Sequence, residues 1–137
     1  MRGQRSRHLY RYAEDALRDY PADCERLRLL SEYLAAPIGP DESGVSSRGG
    51  LAEEERVYER KLRDIEYRGL SYKLDCLRGF MNSLSDEDRR LVELRYIKGL
   101  PWSAVAEELN LSPETCMKRR APRVVRKAIH ALFGDLL

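Results

Sequence analysis

The stretch PWSAVAEELNLSPETC, residues 101–116, constrains the fold more tightly than any other part of the chain. Pro101 opens a short helix over about 101–109, with Val105, Ala106 and Leu109 on its inward side. Asn110 follows, a residue that tolerates positive φ. Leu111 plugs the turn, Ser112 can cap the next helix, and Pro113 suits its first position. The alanine must be small because the two helices cross closely there. The turn residue must accept the left-handed region. Together these requirements are the physical content of a helix-turn-helix. Just upstream, Ser85 caps another helix and Asp88 completes a capping box. Asp86 and Glu87 add negative charge at the positive end of its dipole. Leu91, Val92, Leu94 and Tyr96 form its apolar side, and Gly99 takes the left-handed turn that ends it.

The charge pattern points the same way. The chain carries 25 Lys and Arg against 23 Asp and Glu, a net of +2. That near balance hides an asymmetry. Residues 85–116 carry four basic and seven acidic groups, whereas residues 117–137 carry six basic and one acidic. The six are Lys118, Arg119, Arg120, Arg123, Arg126 and Lys127. They lie on and just after the second helix of the unit, where a DNA-reading helix carries positive charge. Charge alone is weak evidence, because such a run is often a solvated face. The two cues together predict binding to double-stranded DNA.

Other classes find no support. No apolar run approaches the roughly 20 residues of a membrane span, and the basic N-terminus has no apolar core of a secretory signal. Cys24, Cys76 and Cys116 are odd in number and far apart, which reads as free thiols in a reducing cytoplasm. His8 and His130 sit in no metal-ligand spacing, and no nucleotide loop or nucleophile elbow is present. We therefore expect no metal, no cofactor and no enzymatic activity.

Periodicity predicts an all-α chain. Residues 7–19 read as a helix through Leu9, Tyr12, Ala13, Ala16 and Leu17. Pro21 stops it and begins a second helix over 21–35, with Cys24, Leu27, Leu30 and Leu34 on one stripe. The expectation over 1–36 is an N-terminal helical hairpin or a bent rod. Residues 37–50, PIGPDESGVSSRGG, read as a flexible linker. Residues 51–84 read as one long helix with two stripes out of phase around Gly69. Tyr58, Leu62 and Ile65 follow the first; Leu70, Leu74, Leu77, Met81 and Leu84 follow the second. The second stripe steps 4, 3, 4, 3 and allows a coiled-coil contact, so this segment is expected to serve oligomerisation. Residues 85–137 are expected to form the DNA-binding domain.

Residues 84–133 resemble region 4 of bacterial sigma factors. The resemblance is carried by Leu91, Leu94, Arg95, Tyr96, Gly99, Trp102, Val105, Ala106, Leu109, Leu111, Ser112, Thr115 and Arg119. No sigma region 2 precedes them. Over nearly its full length the chain is similar to the RinA/ArpU-like group of phage transcriptional regulators, through Tyr10, Tyr12, Tyr20 and Pro21, the Gly/Ser-rich loop and the long charged helix. This implies a phage- or prophage-encoded activator of late genes, acting as a homo-oligomer in the bacterial cytoplasm, with host RNA polymerase a possible partner. Pro101, Cys116 and Pro122 depart from the pattern. Pro122 is the most consequential: inside a helix it clashes with the Lys118 carbonyl at a cost of roughly 3 kcal/mol. Either the helix restarts there or it kinks.

With Ser112 as N-cap, Glu114, Met117 and Lys118 project from the second helix, and Cys116 points inward. The resemblance places the first turns of that helix in the major groove. Glu114 would accept from cytosine, Lys118 would donate to guanine, and Met117 would pack on a thymine methyl. Arg119, Arg120 and Arg123, with Trp102, Ser103, Ser112 and Thr115, suit phosphate contacts. Each residue has a plainer alternative: Glu114 serving the helix dipole, Trp102 as core, Arg119 paired with an acid such as Glu93. Two other functions stay open. One is a small terminase-like DNA-packaging protein, which would assemble into rings. The other is an RNA polymerase-binding adaptor that uses Asp86, Glu87, Asp88 and Glu93 and no DNA.

Overall fold

The computed structural model describes residues 2–36 and 50–134. The segment 37–49, most of the expected linker, lies outside the described residues. All the regular structure described is helical. Helix α1 spans Arg2–Ala35 and α2 spans Gly50–Ser83. Helix α3, Asp86–Val92, continues into a wide π turn over Glu93–Ile97. Helix α4 is Trp102–Leu109. Helix α5, Pro113–Thr115, passes through a second π turn over Cys116–Arg120 into α6, Ala121–Phe133. No helix among the described residues is long and apolar enough to cross a membrane.

The expected hairpin within residues 1–36 is not found. Pro21 lies inside α1, which runs through it without interruption. Proline removes one backbone bond, but its φ is compatible with a helix. Leu17 before it and Leu30 after it are each 2% exposed, so packing holds the helix on both sides of the missing bond. A helical hairpin does exist, but it joins the second half of α1 to the first half of α2. The Arg26 guanidinium donates to both carboxylate oxygens of Glu66 at 2.8 and 2.9 Å. Arg60 donates to the Leu34 and Ala36 carbonyls at 2.6 and 3.2 Å, closing the C-terminal end of α1.

The chain divides into two compact units. One holds Met1–Ala22 and Lys73–Leu137; the other is Asp23–Tyr72. The first boundary falls just after Pro21 and the second follows Gly69, around which the apolar stripe changes phase. The first unit contains nearly all of the buried apolar side chains. Ala13, Ala16 and Leu17 of α1 join Leu74, Leu77, Phe80 and Leu84, Leu91, Val92 and Leu94, and the α6 stripe Val124, Val125, Ala128 and Ile129. Leu74, Leu77 and Leu84 are thus occupied within their own chain. The coiled-coil seam expected from Leu70 to Leu84 is an intramolecular one.

Polar contacts tie this unit together. The Tyr96 hydroxyl donates to Glu14 at 3.0 Å, and Arg18 lies over the Tyr96 ring at 5.5 Å. Tyr12 meets Phe133 edge-on at 5.3 Å. No buried side-chain polar atom among the described residues is without a partner.

Candidate nucleic-acid interface

The site is built from backbone geometry outward. Helix α3 and its π turn end at Gly99, which has φ 71°. The Lys98 and Leu100 amides return to the Glu93 and Leu94 carbonyls at 2.8 and 3.0 Å. Arg95 fastens the same loop by donating to the Leu100 carbonyl at 3.0 Å, and its guanidinium stacks over the Trp102 ring at 4.4 Å. Trp102 is therefore half-buried at the start of α4, held by a cation–π contact rather than sunk in the core.

Helix α4 ends on Asn110, whose φ of 56° and ψ of 41° are left-handed. That reversal brings the Leu111 N–H onto the Ala106 carbonyl at 3.0 Å, satisfying one of the helix's last carbonyls. Ser112 is extended, and its hydroxyl accepts from the Thr115 N–H at 3.1 Å while donating to Thr115 Oγ1 at 2.7 Å. Pro113 then takes the first helical position. Val105, Ala106 and Cys116 are buried where α4 meets the following helix, and Ala106 leaves room for that approach. Burial pushes the Cys116 thiol above its usual range, against a pull from Arg120. It is a neutral core group, not a nucleophile.

The outward side of the second helix carries the expected residues. Glu114, Met117, Lys118 and Arg119 are exposed. Glu114 and Lys118 form an ion pair at 2.8 Å, one turn apart, so the two candidate base-reading groups satisfy each other. Opening such an exposed pair costs little, about 0–1 kcal/mol. Arg119 forms no ion pair among the described residues, so the alternative pairing with Glu93 is not found. Ser103 is exposed on α4.

Two of the expected phosphate-contacting arginines are turned back onto α3. Arg120 reaches Glu87 at 3.4 Å, and Arg123 reaches Asp88 at 3.5 Å. Asp88 is 4% exposed. The expected capping box is thus half formed. Ser85 Oγ accepts from the Asp88 N–H at 3.2 Å, while the Asp88 carboxylate serves Arg123. Sequence spacing does not reveal these pairings, because the partners lie more than thirty residues apart.

Pro122 neither ends the helix nor stands in an ordinary helical interior. The Ala121 N–H reaches back to the Cys116 carbonyl, one residue further than in an α-helix. Pro122 follows directly, so the wide turn and not a free helix end accommodates its missing N–H. A wide turn just before a proline relieves the contact with the carbonyl four residues earlier. On either side of it, Arg119, Arg123, Arg126, Lys127 and His130 are all exposed along one side. Arg126 and Lys127 have no carboxylate partner among the described residues. Both belong to the basic run visible in the sequence, but not to the residues expected at phosphates, and they extend the basic face past those. Among the described residues, no three His, Cys, Asp or Glu side chains converge to hold a metal ion.

The architecture is thus an all-α chain with two short helices joined at a left-handed asparagine. It belongs to the family described as Protein of unknown function (DUF722), which matches residues 38–128, more than half of the chain. No curated protein and no solved structure matches it.

Proposed function

We propose that this protein is a sequence-specific regulator of transcription that binds double-stranded DNA and reads the major groove with the helix starting at Ser112. The observation that carries the reading is the left-handed turn at Asn110 with the helix it leads into. That capped helix presents Glu114, Met117 and Lys118 outward, and an unneutralised basic side of Arg119, Arg126 and Lys127 continues from it. The projecting groups suit base edges, and the basic side suits phosphates. The resemblance to sigma region 4 and to RinA/ArpU-like regulators supports a phage or prophage late-gene activator working as a homo-oligomer in the bacterial cytoplasm.

The adaptor alternative draws less support. Its acidic surface is largely engaged: Asp86 pairs with Arg89 at 3.2 Å, and Glu87 and Asp88 pair with Arg120 and Arg123. A polymerase contact alongside DNA binding stays compatible with this reading. A packaging protein would differ in mass, since it would form a large ring.

The test is DNA binding against salt concentration, with fragments of the neighbouring genome, for the wild type and Lys118→Ala. Affinity should fall linearly in log salt with a slope of about −0.9 per phosphate contact, and one fragment should stand out. Lys118→Ala should lose that preference and keep most general affinity, because a base contact specifies and a phosphate contact does not. A folded wild-type protein that binds no DNA at low salt would refute the proposal.

A further inference from the structure

In the second unit, Asp23–Tyr72, the polarity of α2 is inverted. The side of α2 that meets α1 carries charged groups beside half-buried Tyr67 and Leu70. Arg60 closes the α1 carbonyls, Glu66 receives Arg26, and Arg63 braces Glu66 at 2.7 Å. Four large apolar residues point the other way. Tyr58 is 65% exposed, Leu62 40%, Ile65 66% and Tyr72 66%. A surface helix ordinarily buries its apolar stripe and solvates its charges. Here an apolar stripe stays in solvent over four turns while arginine and glutamate side chains are turned to α1.

We propose that this stripe is the seam on which a second copy of the chain packs, helix α2 against helix α2. Three observations select that occupant. First, the positions 58, 62, 65, 69 and 72 step 4, 3, 4, 3, the 3.5-residue period with which one helix seats along another over several turns. A second copy presents the same period, so the contact is self-complementary about a two-fold axis.

Second, the area is right. At these exposures the four side chains offer roughly 400–500 Å² of largely apolar surface, given about 150–250 Å² for each large side chain. The largest apolar patch on a typical monomer is about 300–600 Å² and is often functional. With the stems of flanking Glu59, Lys61 and Arg68, the stripe approaches the roughly 800 Å² per partner of a standard interface.

Third, the remaining position of the stripe is Gly69. A Cβ added there would meet nothing within 4 Å, so the chain's own packing does not require glycine. Glycine inside a helix costs about 1 kcal/mol relative to alanine. On the seam, its missing side chain admits a bulky tyrosine from the facing copy.

The inference rests on the DNA-reading proposal only for its purpose, which is to place two reading helices on paired half-sites. The contact itself is measured without DNA. Full-length protein is followed by sedimentation from low to high micromolar concentration, with Ile65→Glu beside the wild type. Ile65 is exposed, so the variant should keep the wild-type circular dichroism and melting curve. The wild type should reach twice the chain mass, and Ile65→Glu should raise the dimer dissociation constant by about 100-fold or more. A Leu62→Cys variant in a Cys24→Ser, Cys76→Ser background should be joined into a two-chain species by a short bifunctional thiol reagent.

A wild type that stays monomeric at high concentration overturns the seam, as does an Ile65→Glu variant that dimerises like the wild type. A variant that melts earlier as a monomer also overturns it, since the stripe would then be covered by its own chain. A monomer that binds a preferred DNA fragment rejects the seam and keeps the reader. A dimer that binds no DNA rejects the reader and keeps the seam.

Discussion

Tyr96 shows how a single side chain ties the first unit together. It is 2% exposed, and its hydroxyl donates its proton to Glu14. Burial, then the neighbouring carboxylate, pushes the phenol above its ordinary 10.0. Tyr10 is raised in the same direction by burial and by Glu14. The unfolded chain therefore loses these protons first as pH rises. The stabilisation is fully present below about pH 10 and declines above it. Tyr96→Phe should cost about 1.5–3 kcal/mol near neutral pH, the scale of a hydrogen bond to a charged acceptor. It should also flatten the alkaline loss of stability, leaving the part due to Tyr10. Urea unfolding of both proteins between pH 7 and 11 checks this; equal alkaline slopes would contradict it. Residues with local tasks were legible in the sequence. Asn110, Gly99, Ser85 and Ser112 adopt the conformations their side chains favour. Tyr96 was legible as apolar, but its partner was not, because Glu14 lies 82 residues away.

Two prolines inside helical runs separate what an element tolerates from what it accommodates. Pro21 stands within α1, an α-helix on both sides. Pro122 comes after a π turn and occupies the first turn of α6. Only the second has a backbone shaped around it. Pro21→Ala should therefore stabilise the protein by about 1–3 kcal/mol, restoring a backbone bond and removing a clash. Pro122→Ala should change stability by less than about 1 kcal/mol, because the wide turn before it already takes up the clash and the missing bond. Chemical denaturation of both variants measures the contrast. A gain at Pro122 as large as that at Pro21 would show that the wide turn relieves nothing. The same pair explains why element boundaries were only partly readable. A proline signals a break, but whether a helix breaks depends on packing to either side. Leu17 and Leu30 hold α1 through Pro21. The helix ends at Asn110 and Ser112 were legible because their signals all lie within one or two turns. The wide turn before Pro122 was not readable, since a proline in a helical run signals a stop or a kink and not a widened turn.

At the scale of the whole chain, apolar burial is uneven in a way that composition conceals. Among the described residues of the unit Asp23–Tyr72, Leu30 is the one fully buried apolar side chain. The other unit holds the rest. The stripe of Tyr58, Leu62 and Ile65 was visible in the sequence, but its direction was not. Periodicity shows that residues share a face and says nothing of what covers it. That depends here on charged pairs, Arg26 with Glu66 and Arg60 with the end of α1, which claim the opposite face. A unit held mainly by exposed ion pairs is weakly stabilised on its own. Local opening free energies follow buried contact, so residues 23–36 and 50–72 should exchange their amide hydrogens earlier than α3, α4 and α6 in dilute protein. If a second copy covers the stripe, protection should rise with concentration over residues 55–72 and leave α3, α4 and α6 unchanged, because binding stabilises the state it selects. Hydrogen exchange read by mass spectrometry at two concentrations distinguishes the cases. Protection over 55–72 that is high at both concentrations would mean that the unit is stable alone and needs no partner. A rise confined to those residues would locate the contact without any substitution in the chain.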